Sequence, residues 1–125
     1  MTRKKHIKLA NKHSGEIVLE SARWCDSRWC KFLGYQFRFN LDDGEALLFV
    51  HNKETVRGSS IHMFFVFTSL TVAWLNDQGR VTHVELARPW RPYYGSPTPA
   101  RYVLETTPDL IDRIKVGDEL EIIDR

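Results

Sequence analysis

The longest uninterrupted apolar runs in this chain, Ala46–Val50 and Met63–Phe67, are only five residues each. Runs of that length suit strands, since a buried helix needs ten or more residues of apolar patterning. The same alternation recurs from end to end. Ile7 and Leu9 alternate with His6 and Lys8, Lys12-His13-Ser14-Gly15 supplies turn chemistry, and Ile17 and Leu19 resume the pattern, which predicts an N-terminal hairpin. Asp42-Asp43-Gly44-Glu45 turns the chain into Ala46–Val50, whose continuous apolarity predicts a central strand covered on both sides. Lys53 to Ser60 reads as a loop, and Ile61 to Phe67 as a further strand. Thr71 to Leu75 and Val81 to Leu86 flank Asn76-Asp77-Gln78-Gly79, the clearest hairpin signal. Ala100 to Glu105 and the Leu120, Ile122 pair predict the remaining strands.

Two short helices interrupt this pattern. Asp26 or Ser27 can cap a helix over Ser27–Leu33 that Gly34 ends. Thr107 and Pro108 open a second, with Leu110, Ile111 and Ile114 as its apolar stripe and Gly117 as its stop. Seven or so short strands without strand-helix alternation predict a mostly β domain with a minor α component: a small antiparallel, closed or partly closed β-barrel, because closure removes the edges that short strands expose.

Length and composition bound the rest. With 125 residues the chain has the size of one domain, residues 1–125. No segment approaches the roughly 18 apolar residues of a membrane-spanning helix, and Lys8 interrupts the apolar stretch that a signal peptide would need. One cysteine pair, Cys25 and Cys30, is too small for a disulfide framework, so reduced thiols in a cytoplasmic protein are expected. A formal charge of +2 predicts weak long-range attraction to nucleic acid or anionic membrane. The basic run Arg3-Lys4-Lys5 reads as a solvated tail over residues 1–5.

Six islands then occur in order: Gly34-Tyr35-Gln36-Phe37-Arg38, Leu47-Leu48-Phe49-Val50, Ile61-His62-Met63, Asn76 to Val81, Ala100-Arg101-Tyr102-Val103-Leu104-Glu105, and Val116-Gly117-Asp118. Together they resemble domain of unknown function family 192 over residues 16 to 123. The resemblance implies a compact, barrel-like β domain and carries over Arg38, Gly79, Arg101, Glu105 and Gly117 by position. The sequence also departs from the family's pattern. Members commonly show Gly-Leu-Met at Gly34-Tyr35-Gln36 and Pro-Leu-Asp at Ser69-Leu70-Thr71, so a shared carboxylate is missing. They show Trp-Met-Lys-Asn-Thr at His62-Met63-Phe64-Phe65-Val66, where polar groups have here become apolar.

Among polar residues, Arg38 and Arg101 offer rigid donor forks for a carboxylate or phosphate, against a structural role in ion pairs with Glu105, Glu45 or Asp118. The segment Arg88-Pro89-Trp90-Arg91-Pro92-Tyr93-Tyr94-Gly95 interleaves cations and rings as a binding loop would; otherwise it is a lid with Trp90 and Tyr94 buried. Four prolines between 89 and 99 force that loop to be irregular. His6, His13, His51, His62 and His83 are scattered without metal-ligand spacing, and no glycine-rich phosphate cradle occurs, so neither metal nor cofactor is expected. Ser59 and Ser60 lie near His62, but the context of an activated nucleophile is absent. Phe37, Phe49, Phe64, Phe65 and Phe67 are assigned to the core.

These features favour a monomeric, non-enzymatic binding or accessory module, with Arg38, Arg101, Glu105 and the Trp90–Tyr94 loop facing an anionic or aromatic ligand or protein partner. One alternative is a hydrolase-like enzyme with His62 as base in the barrel mouth and Arg38 or Arg101 as anion clamp. Another is binding of single-stranded nucleic acid, which steep weakening with salt would reveal.

Overall fold

Local turn chemistry builds the first hairpin. In the computed structural model, which describes residues 5–124, β1 (His6–Asn11) and β2 (Ile17–Cys25) are joined by a turn in which Asn11 Oδ1 accepts from the amides of His13 and Ser14 at 3.0 and 3.2 Å. Ser27 then caps helix α1 (Arg28–Leu33), its hydroxyl accepting from Cys30 N at 3.1 Å. The chain continues through β3 (Ala46–Thr55), β4 (Leu70–Leu75), β5 (Val81–Ala87), β6 (Ala100–Thr106), a 3-10 turn (Pro108–Asp112) and β7 (Leu120–Asp124).

The strands form one sheet in the order β5-β4-β6-β3-β2-β1-β7. It curls into a half-barrel whose two edge strands meet at their first residues. There Leu120 N donates to Gly79 O at 2.9 Å and Val81 N to Asp118 O at 2.8 Å. Gly79 has φ of 80°, and a Cβ there would lie 2.5 Å from Leu120 O, so this closure requires glycine.

Period-two alternation sends side chains to two separate cores. Ala46, Leu48, Ala73, Leu75 and Leu104 point into the half-barrel with Ile7, Leu9, Leu19 and Ile114. Leu47, Phe49, Val72, Trp74 and Val103 point outward, where Tyr35, Met63, Val66 and Tyr94 cover them. Ala46–Val50 is thus buried on both faces, as its continuous apolarity predicts.

Several expectations are corrected. One neighbouring pair, β2 with β3, is parallel rather than antiparallel, because α1 and the segment after it form the crossover that a parallel pair needs. Ile61 to Phe67 is not a strand. Its one ladder contact is the Ile61–Tyr94 bridge, after which the backbone turns, with Phe65 at φ 61°. The second helix is only a 3-10 turn, and the Thr107 hydroxyl is buried without a hydrogen-bond partner instead of capping it. Cys25 and Cys30 form a disulfide in place of two reduced thiols; the first turn of α1, which carries Cys30, lies back against the end of β2, and the Cα atoms are 5.7 Å apart. Of the five phenylalanines assigned to the core, Phe49 is buried, whereas Phe37, Phe64 and Phe65 are exposed and Phe67 is half-buried. In the basic run, Arg3 and Lys4 lie outside the described residues, and Lys5 Nζ sits 4.6 Å above the Trp24 ring.

Candidate functional site

Three excursions from the sheet, residues 34–45, 56–69 and 88–99, cover its outer face. Backbone hydrogen bonds lace them together. Phe37 N donates to Phe65 O at 2.7 Å, Met63 N to Arg91 O and Trp90 N to Met63 O at 2.8 Å, and Ile61 exchanges two bonds with Tyr94. Trp74 on β4 anchors the middle excursion from below, its indole N–H donating to Ser59 O at 2.8 Å. The proline-rich loop is therefore held by its neighbours as well as by its own fixed φ angles.

A cavity of about 100 Å³ remains beneath these excursions, bounded by α1, β3, β6 and residues 58–66. Gly34 helps to keep it open: a Cβ there would sit 3.5 Å from the Phe49 ring and 3.8 Å from Glu105 Oε1. Glu105 of β6 reaches the cavity while only 5% exposed, and among the described residues no group hydrogen-bonds or ion-pairs with its carboxyl. Burial without a compensating partner pushes its pKa up to about 8, which favours the protonated form near neutral pH. The Tyr35 hydroxyl is also buried, with no hydrogen-bond partner among the described residues. Burial, reinforced by the charges of Glu45 and Glu105, moves that phenol well above its ordinary range.

On the opposite wall Lys31 Nζ lies 3.5 Å from His51 Nδ1, a contact in which the ammonium donates and the neutral ring accepts. Desolvation lowers the pKa of both, and the Lys31 charge lowers that of His51 further. Among the described residues no carboxylate lies within ion-pairing distance of Lys31.

The surface of the same excursions carries a second feature. Phe37 stacks on Phe65 at 5.3 Å and Phe39 on Phe67 at 4.7 Å, with Trp90 edge-on to both Phe65 and Phe67 at 5.0 and 5.7 Å. Phe39 is 76% exposed, Phe37 60% and Trp90 46%. Phe37, Phe65 and Trp90 are also the three non-glycine residues with positive φ among the described residues, at 67°, 61° and 70°. Bulky side chains on left-handed backbone cost on the order of 1 kcal/mol or more each. The fold thus holds strained backbone beneath rings left in water.

A family model for the conserved region described as "Uncharacterized ACR", DUF192, matches residues 9–122. The chain belongs to the DUF192 family. A UPF0127 protein of Thermococcus sibiricus is 33% identical over 115 residues, covering 90% of this chain and 73% of that protein. One from Pyrococcus furiosus is 30% identical over 115 residues, covering 90% and 96%. The fold is similar to a crystal structure of a candidate transcription regulator from Sinorhizobium meliloti, with a TM-score of 0.82, 21% identity, and 96% and 94% of the two chains covered. It is also similar to a protein of unknown function from Novosphingobium aromaticivorans, with a TM-score of 0.79 at 20% identity, covering 94% and 84%.

Of the residues that match the DUF192 pattern, both arginines are engaged in ion pairs. Arg38 forks onto Glu45 with two bonds of 2.9 Å. Burial pushes the Glu45 carboxyl up, but that fork and the Asp42 amide outweigh it and leave the pKa below normal. Arg101 donates to His51 O at 3.0 Å and pairs with Asp77 at 3.1 Å rather than with Glu105. It shares a face with Glu105, yet four residues of extended strand separate them by about 13 Å. Neither arginine lines the cavity; Glu105 and His62 do.

His62 is exposed and its Nδ1 accepts from Phe64 N at 3.2 Å, while Ser59 and Ser60 donate to backbone carbonyls as turn serines do. In the proline-rich loop Tyr94 is buried, its hydroxyl accepting from Arg88 N at 2.9 Å, whereas Arg88, Trp90, Arg91 and Tyr93 are exposed. The Arg91 guanidinium lies 6.0 Å from the Tyr94 ring. Among the described residues no three His, Cys, Asp or Glu side chains converge as a metal site would require, and no helix is long and apolar enough to cross a membrane. Sequence reasoning missed Phe37, Phe39, Phe65 and Phe67 as surface and Lys31 as a cavity residue. The departure from the DUF192 pattern at Phe64-Phe65-Val66 was the available signal for Phe65.

Proposed function

We propose that this DUF192 protein is a monomeric, non-enzymatic binding module whose recognition surface is the ring platform of Phe37, Phe39, Phe65, Phe67 and Trp90. The observation that carries this reading is the coincidence of exposed rings with left-handed backbone at Phe37, Phe65 and Trp90. Strain kept beneath solvent-exposed rings has no use in packing; a partner that covers the rings supplies one.

Charge points to the partner's character. Arg88 and Arg91 flank Trp90, are exposed, and have no carboxylate partner among the described residues. The platform therefore suits a polypeptide segment carrying both aromatic and acidic side chains, which narrows the anionic or aromatic partner expected from sequence. An enzymatic reading has less support, because the arginines meant to clamp an anion are paired elsewhere and the serines near His62 are spent on turns. Location in the cytoplasm rested on free thiols, and the disulfide removes that support.

A random peptide library selected on the purified protein tests the reading. Enriched peptides should pair aromatic with acidic residues and lose at least tenfold in affinity for Trp90→Ala or Phe65→Ala. Peptides that bind both variants unchanged would refute the platform. Tighter binding to a single-stranded oligonucleotide, with steep weakening in salt, would transfer it to nucleic acid.

A further inference from the structure

The cavity under the excursions is distinct from the platform and holds an unusual pair of groups. On one side is Glu105, a nearly fully buried carboxyl; on the other is Lys31, a half-buried ammonium whose one polar contact is the His51 ring. Both line one space, yet no ion pair joins them, and among the described residues neither meets an opposite charge at contact distance. Buried ionisable groups are ordinarily paired or hydrogen-bonded, because leaving one without a partner costs desolvation energy with nothing in return. Glu105 has no such partner and Lys31 has only the neutral His51 ring, so a carboxyl and an ammonium that line one cavity without pairing leave the complementary charges to whatever fills it.

We propose that this cavity binds a small zwitterion of the amino-acid class, its ammonium group against Glu105 and its carboxylate against Lys31. Size agrees in scale: at about 15 Å³ for each bound water, 100 Å³ has room for roughly seven water-sized groups, the scale of a small amino acid. The walls agree as well. The Phe49 and Tyr35 rings stand beside the carboxyl, and aromatic faces with an acid are the surroundings that ammonium and methylated ammonium groups favour. A ligand bearing one charge only would satisfy one group and bring no partner to the other.

The groups around Glu105 determine how binding follows pH. Leu47 and Val72 lie opposite it on the neighbouring strands; Tyr35 approaches from the 34–45 excursion, and Lys31, His51 and His62 line the rest of the cavity from α1, β3 and residues 56–69. Tyr35 stays neutral, and Lys31 and His51 are matched to each other, so Glu105 is the group that must ionise to meet an ammonium. Binding should expel close to one proton below pH 8 and tighten by up to tenfold per pH unit between about pH 5 and 8.

The test uses glycine, L-alanine and betaine as probes, titrated by amide NMR and by calorimetry in two buffers of different ionisation enthalpy. Expected are saturable binding of at least one zwitterion, release of about one proton near pH 7, at least tenfold loss in both Glu105→Gln and Lys31→Met, and no proton release in Glu105→Gln. Thermal unfolding of each variant shows that it is folded; α1 has no fully buried residue, so Lys31→Met removes the contact to His51 without opening the core. The proposal is overturned if no zwitterion saturates, if either variant binds like wild type, or if methylammonium or acetate alone binds as well.

Discussion

The two faces of the half-barrel solve the same burial problem with different material. The inner face is filled by strand side chains such as Leu48, Ala73 and Leu104, with Ile114 closing it from the C-terminal segment. The outer face is roofed by irregular chain, and roofing of that kind is less economical. Among the described residues it leaves a buried Glu105 carboxyl and a buried Tyr35 hydroxyl without hydrogen-bond partners, together with a cavity and aromatic rings still in water. Loops cannot tile a sheet as a second set of strands would, since their own backbone groups need partners that interstrand ladders would otherwise provide. The strain and the unpaired groups collect where the chain is irregular, and so do the candidate sites.

The sharpest way to separate the faces is pH. Glu105 is protonated in the native state up to about pH 8 but ionises near its ordinary value once unfolded. Its raised pKa therefore contributes stability in full below about pH 4.5, and that contribution is lost as the pH climbs to 8. At 1.36 kcal/mol per unit the loss approaches 4–5 kcal/mol. Urea unfolding at about pH 5 and pH 8 should show about 3–4 kcal/mol of that decline in the wild type and a much flatter profile in Glu105→Gln. Equal slopes would mean that the carboxyl is not buried as described.

Next in size is a change confined to the inner face. Leu104→Ala, adjacent in sequence but pointing into the half-barrel, should cost about 3 kcal/mol by leaving a cavity in strand-built packing. The cost should be the same at both pH values, and the platform's peptide binding should be retained; a pH-dependent cost would show that the two faces are coupled.

The smallest stability effect belongs to the platform. Phe37→Gly relieves left-handed strain of roughly 1 kcal/mol while giving up a ring stack of similar worth, so unfolding free energy should stay within about 1 kcal/mol of wild type. Binding of selected peptides should nonetheless fall at least tenfold. A large loss of stability instead would make the ring part of the core.

How much of this was legible in the sequence differs by region. The hairpins at Lys12–Gly15 and Asn76–Gly79, the Ser27 cap and the double-sided strand at Ala46–Val50 depend on neighbours in sequence, and all are found in place. Arg38 was legible as a residue and Glu45 as its available partner. Arg101 and Glu105 shared a face correctly, but their distance along the strand kept them apart. The Phe-rich run from Phe64 to Phe67 misled because apolar composition reports a tendency to be buried, and whether enough roof exists to bury it depends on the chain crossing above.

By itself, then, the sequence determined the strand-sized elements, their turns, the β architecture and the family, because periodicity, caps and positive-φ glycines act over a few residues. Only the tertiary structure decided that β2 pairs in parallel with β3, that Cys25 meets Cys30, that Glu105 and Lys31 line one cavity without pairing to each other, and that five rings gather on the outer face. Each of these depends on which distant segments lie across the sheet. That choice follows from burial summed over the whole chain, and no local pattern encodes it.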